Sequence, residues 1–158
     1  MKQSLSIPFV LFFASILFVS CEGGLEPPME ESNPTGVISG KITYSGEWPP
    51  EDSLKDLRFV ALKSKPQSAA DIVSVFPDLP FSQRLKYNVE RDSFRVDNVR
   101  NGVYVYNAIA QQFGDQILQD WKPVGLYMKN NGIIIIDDNT VSIEIEVDFD
   151  NPPPFPPE

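Results

Sequence analysis

"TVSIEIEVDFD", residues 140–150, decides the fold. Val141, Ile143, Ile145, Val147 and Phe149 fall on one side of an extended chain, while Ser142, Glu144, Glu146, Asp148 and Asp150 fall on the other. Side chains of a strand alternate between its two faces, so this stretch predicts a strand with one face in a core and one in water. "GIIIID", residues 132–137, runs into "DDNT", whose Asp and Asn favour a tight turn, and the two stretches are expected to pair as a hairpin.

The same period of two recurs upstream. In "GVISGKITYSG", residues 36–46, Ile38, Ile42 and Tyr44 share one side, and Ser39, Lys41 and Thr43 the other. "DLRFVALKSKP", residues 56–66, is apolar on both sides from Leu57 to Leu62, as a central strand would be. "SFRVDNV" and "GVYVYNAIAQQ" are separated by "RNG" and are expected to form a second hairpin. "KPVGLYM", residues 122–128, is a shorter strand candidate. Helical period is confined to a turn or two around "SAADIVSVF" and "GDQILQDW". "FPDLPFSQRLKY", residues 76–87, carries two prolines and reads as a loop able to cover an edge strand. The pattern predicts an all-β domain over residues 36–150, an antiparallel β-sandwich of about seven strands, Ig-like in its general plan.

"GVISGKITYSGEWP", "FVALKSKP", "SFRVDNVRNGVYVYNAIA" and the closing "VSIEIEVDFDN" together resemble the carboxypeptidase regulatory-like domain, a transthyretin-like β-sandwich. Gly36, Ile38, Gly40 and Ile42 fit that family's opening strand, and Phe94, Val96, Val99, Gly102 and Tyr104 fit its middle phrase. The resemblance implies a binding or spacer module and not a catalyst. Gly102 allows a sharp turn between strands, and Tyr104 is expected to re-enter the sheet and fill one end of the core. Two segments depart from the family pattern, the insert between Pro66 and Asp92 and "GDQILQDWKPVG". A ligand surface specific to this protein would lie there.

Residues 1–20, "MKQSLSIPFVLFFASILFVS", place Lys2 ahead of an apolar run from Ile7 to Val19. The run is shorter than the roughly 20 residues needed to span a bilayer and fits a signal peptide. Phe18-Val19-Ser20-Cys21 resembles the bacterial lipobox, with Phe18 standing where Leu is usual. The resemblance implies cleavage between Ser20 and Cys21 and acyl chains on Cys21; an ordinary cysteine at a signal-peptide end is the plain alternative. Each buried methylene contributes about 0.8 kcal/mol, so several chains hold a protein firmly to a membrane. With one cysteine in the chain, no internal disulfide can form. Residues 21–35 continue with "EGGLEPPMEESNPT", too poor in apolar surface to fold, and read as a tether. The expected location is the bacterial cell envelope, lipid-anchored in the outer membrane, with the periplasmic and surface sides both open.

Charge and composition narrow the partners. The chain has 22 acidic and 13 basic residues and no histidine. Loss of Lys2 with the leader brings the net charge from −9 to −10. Such a surface repels phosphate backbones, which excludes nucleic acid as a partner. Partners are then the membrane, through Cys21, and an envelope protein or polysaccharide. Without histidine, the common nucleophile and base pairs and zinc sites cannot be built, and no cofactor or metal is expected. Asp137 with Asp138, and Asp148 with Asp150, would offer oxygens to calcium, but turn chemistry and a solvated strand face account for them equally. Trp48, Trp121 and Tyr127 are the aromatic candidates. Trp121 sits among Gln111, Gln112, Gln116 and Gln119, and with Tyr127 it would form a glycan-binding or partner-binding surface. The alternative is that these rings close the ends of the sandwich. Residues 151–158, "NPPPFPPE", are expected to be an untethered polyproline tail with Phe155 exposed.

Overall fold

The computed structural model describes residues 35–75 and 78–157. The expectations for the leader, for Ser20 and Cys21, and for all of the tether except Thr35 fall outside the described residues. Among the described residues the chain is all-β, with eight strands: β1 (Thr35–Ser45), β2 (Asp56–Leu62), β3 (Arg91–Arg100), β4 (Gly102–Tyr104), β5 (Tyr106–Gln112), β6 (Trp121–Leu126), β7 (Ile134–Ile136) and β8 (Thr140–Asp148). One short helix, α1 (Ala69–Ser74), forms in the first stretch of helical period. The second makes turns, in which the Gln119 and Asp120 N–H groups both donate to the Gln116 carbonyl.

Six strands form one sheet in the order β2-β5-β6-β8-β1-β3, and β4 pairs with β7 in a second, two-stranded sheet. Both expected hairpins are corrected by this order. β7 pairs with β4 and not with β8, because β1 and β6 already take both edges of β8. β3 pairs with β1 and not with the strand after "RNG". Both turn signals do turn the chain, but they carry it between sheets, and they are clasped together. Asn101 Nδ2 donates to Asp138 Oδ1 and the Asp138 N–H donates to Asn101 Oδ1, each at 3.0 Å. Gly102, at φ 149°, takes the first corner. Tyr104 then enters the core, 2% exposed, with its hydroxyl donating to the Arg100 carbonyl at 2.8 Å.

The all-antiparallel expectation is also corrected. β1 and β8 run parallel, with Gly40 opposite Ile143, Ile42 opposite Ile145 and Tyr44 opposite Val147. That register sets the inward residues of both strands side by side, so the match of apolar faces decides the pairing.

The ends of the large sheet meet. β2 and β3 are its two edge strands, yet Phe59 of β2 and Phe94 of β3 stack with centroids 4.2 Å apart. The sheet therefore curls around a shared core that includes Ile38, Ile109, Tyr127, Ile136 and Ile145. Gly40 faces Phe94 across the β1–β3 ladder, and a Cβ there would lie 2.3 Å from that ring, so the stack needs the missing side chain.

Candidate functional site

β2 and β5 are paired along their full length, from Asp56 opposite Gln112 to Leu62 opposite Tyr106. Leu57, Phe59 and Ile109 of these strands join the shared core. Val60, Leu62, Tyr106, Ala108 and Ala110 form a second apolar cluster on the other side, where Leu79 joins them. The alternation thus leaves an apolar outer face that something must cover.

Two segments cover it, the insert after Pro66 and the stretch that leads into β6. The insert between Pro66 and Asp92 runs along the free edge of β2: the Ala61 N–H donates to Pro80 O, and the Ser82 and Leu85 N–H groups donate to Phe59 O and Leu57 O. The loop over an edge strand is therefore present. Ser82, 1% exposed, accepts the Phe59 N–H with its Oγ and locks the insert in place. From the other side comes the segment before β6, held by Trp121, whose Nε1 donates to the Ile117 carbonyl at 2.7 Å. Asp120 caps the same turn by accepting the Gln116 N–H.

Between the two covers lies a cavity of about 300 Å3. Val60, Ile72, Leu79, Phe81, Ala110, Ile117, Leu118 and Trp121 line it, with Asp56, Arg58 and Gln112 as the polar members of the wall. The polar groups are already engaged. Arg58 Nε reaches Asp56 Oδ2 at 2.6 Å, its guanidinium lies 5.3 Å from the centre of the Phe81 ring, and Gln112 Nε2 donates to Gly114 O. A cavity of this kind shelters an aliphatic or aromatic group. Ile117 and Leu118, 63% and 53% exposed, form an apolar rim facing water.

Trp121 borders the cavity. Tyr127 is 6% exposed within the shared core, its hydroxyl accepting from Asn130 Nδ2, so the structure does not bring the two together. Of the four glutamines, Gln112 reaches the cavity, Gln111 is buried with its Nε2 donating to Ser53 O, and Gln116 and Gln119 are exposed on the turn. Trp48 packs with Tyr44, Tyr87 and Phe149 at centroid distances of 4.7, 5.4 and 4.5 Å, closing one end of the core. Three of the four carboxylates in the acidic pairs accept hydrogen bonds from neighbouring side chains or backbone. Asp148 accepts from Asn151 Nδ2 and the Asp150 N–H, which hold its carboxyl below the usual range, and Asp150 accepts the Glu47 N–H. Asp138 is taken up by Asn101. Among the described residues no group of three His, Cys, Asp or Glu is placed to hold a metal ion.

The tail departs from its expected freedom. Phe155 is half-buried in a groove that adjoins the cavity, together with Leu62, Tyr106, Ala108, Lys122 and Pro123. Val60, Ile72, Ala110 and Trp121 border both depressions. Sequence reasoning missed Ile72, Leu79, Phe81 and Ile117 as wall residues. The two-sided apolar run from Leu57 to Leu62 was the available signal, since it required a cover on both faces. In comparisons with family models, curated proteins and solved structures, the chain matches none of them.

Proposed function

We propose that the protein is a bacterial envelope lipoprotein, anchored by acyl chains on Cys21, whose β-sandwich is a non-catalytic binding module with its ligand site on the outer face of β2 and β5. The curl that stacks Phe59 on Phe94 supports the sandwich reading. So does Tyr104, whose bond back to Arg100 O is the kind of tyrosine corner found in Ig-type sandwiches. The transthyretin-like type rests on the strand phrases around Gly40 and Gly102. Among the described residues no helix is long and apolar enough to cross a membrane.

The cavity walled by the insert after Pro66 and the stretch that leads into β6 is the observation that carries the binding role. Its lining favours an apolar group over a sugar ring. Sugars are held by several convergent polar groups, and here Asp56 and Arg58 are spent on each other.

Two experiments test the two halves of the proposal. Cys21→Ala should release the protein from the membrane fraction of cells; a variant that stays wholly membrane-bound would refute the anchor. For the cavity, the full chain in nanodiscs is probed by saturation-transfer NMR with indole, against empty nanodiscs. Transfer to indole that disappears in Trp121→Ala is expected, and equal transfer in both proteins removes the site.

A further inference from the structure

The outer face already holds one occupant, and its chemistry is informative. Prolines 152, 153, 154, 156 and 157 flank Phe155, whose side chain borders the groove beside the cavity. About 20 Å3 of free space remains there, so the groove is nearly filled. Trp121, Pro123 and Tyr106 supply flat apolar walls. Grooves of that composition suit extended polyproline segments, which keep every carbonyl free because they make no internal hydrogen bonds.

Tyr106 adds an independent observation. It is 6% exposed, and its hydroxyl is closed off from water without a hydrogen-bond partner. A buried polar group left unpaired costs free energy, and a carbonyl supplied by a ligand would recover it. The tail fills the groove without satisfying that hydroxyl.

Building on the reading of this face as a ligand site, we infer that the groove and cavity together recognise a proline-flanked aromatic segment of a partner protein, with the chain's own tail as a tethered competitor. The partner's aromatic ring takes the place of Phe155, its carbonyl meets the Tyr106 hydroxyl, and its further residues extend over Trp121 into the open cavity.

Fluorescence anisotropy of a labelled peptide, DNPPPFPP, titrated with the full chain in nanodiscs, tests this. A tethered competitor weakens an external ligand through its high effective concentration, so Phe155→Ala should tighten peptide binding by about threefold or more. A peptide carrying alanine in place of phenylalanine should not bind. A free peptide of this sequence is not fixed in place by the end of β8 as the tail is, and can shift until one of its carbonyls meets the Tyr106 hydroxyl. Tyr106→Phe, made alongside Phe155→Ala, should therefore weaken binding about fivefold while thermal stability of the unliganded protein stays level or rises. A merely structural role for Tyr106 would not separate those two readouts. The inference is overturned if the peptide fails to bind Phe155→Ala at millimolar concentration, or if the alanine peptide binds as well. Should indole still report the cavity in that case, the binding module stands without the peptide; if both probes fail, both readings fall.

Discussion

β8 and β5 belong to the same sheet and are buried in opposite ways. β8 alternates: Ile143, Ile145 and Val147 are in the core while Glu144 and Glu146 are in water. β5 is buried at all seven positions. Both strands send alternate side chains to opposite faces; what separates their burial is what lies above the outer face. Glu144 and Glu146 stand exposed, met by the Lys129 side chain at Glu144, whereas the insert after Pro66, the turn before Trp121 and the tail all close over Tyr106, Ala108 and Ala110. One half of the sheet is a conventional wet-faced support, and the covered half is where a ligand can be enclosed.

The largest effect expected from this contrast lies at two neighbours on β2. Phe59→Ala removes a fully buried ring and its stack on Phe94, and should cost about 3–5 kcal/mol in chemical denaturation. Val60→Ala, on the covered outer face, should cost about 1.5 kcal/mol and reduce indole transfer. Equal losses at both positions would break the distinction between core and covered face. The two tryptophans sharpen it further. Trp48→Ala should lower stability by about 2–3 kcal/mol through the aromatic cluster with Tyr44, Tyr87 and Phe149, leaving indole transfer intact. Trp121→Ala should do the reverse, with binding lost before folding is.

Tyr104→Phe isolates the corner between the sheets. It keeps the buried ring and deletes the bond to the Arg100 carbonyl, for an expected loss of about 1 kcal/mol in urea denaturation.

The smallest effect belongs to the wet face of β8. Lys129 Nζ and Glu144 Oε2 lie 2.6 Å apart, but both side chains are exposed to water. The hydrogen bond from Lys129, then its charge, holds the Glu144 carboxyl below its ordinary range. A lowered folded pKa means that the contribution is present above the unfolded value of 4.5 and fades as pH falls through the lower folded one. Glu144→Gln should therefore leave the neutral-pH denaturation midpoint almost unchanged, and its difference from the parent should vanish in acid. A large neutral-pH loss would show that the outer face of β8 is not merely solvated.

Much of the architecture is legible residue by residue. The buried sides of β1 and β8 follow the alternation of Ile38, Ile42 and Tyr44, and of Ile143, Ile145 and Val147. Gly102 and the Asp/Asn pair at 138–139 mark real turns. Partner choice was not legible: "RNG" and "DDNT" read as hairpins because a turn signal reports a change of direction without saying which strand edge is free. Trp121 was legible as an aromatic beside amides. Its actual neighbours, Ile72, Leu79, Phe81 and Ile117, come from distant segments with no shared local pattern.

The sequence by itself determined the all-β class, the inward residues of the alternating strands and the turn sites, because pleat and turn preferences act over a few neighbouring residues. Only the tertiary structure decided that β1 and β8 run parallel, that the turn signals join two sheets, and that the outer face of β2 and β5 is roofed. Those outcomes depend on which edges and apolar faces remain unfilled once the rest of the chain has packed, and no local stretch carries that information.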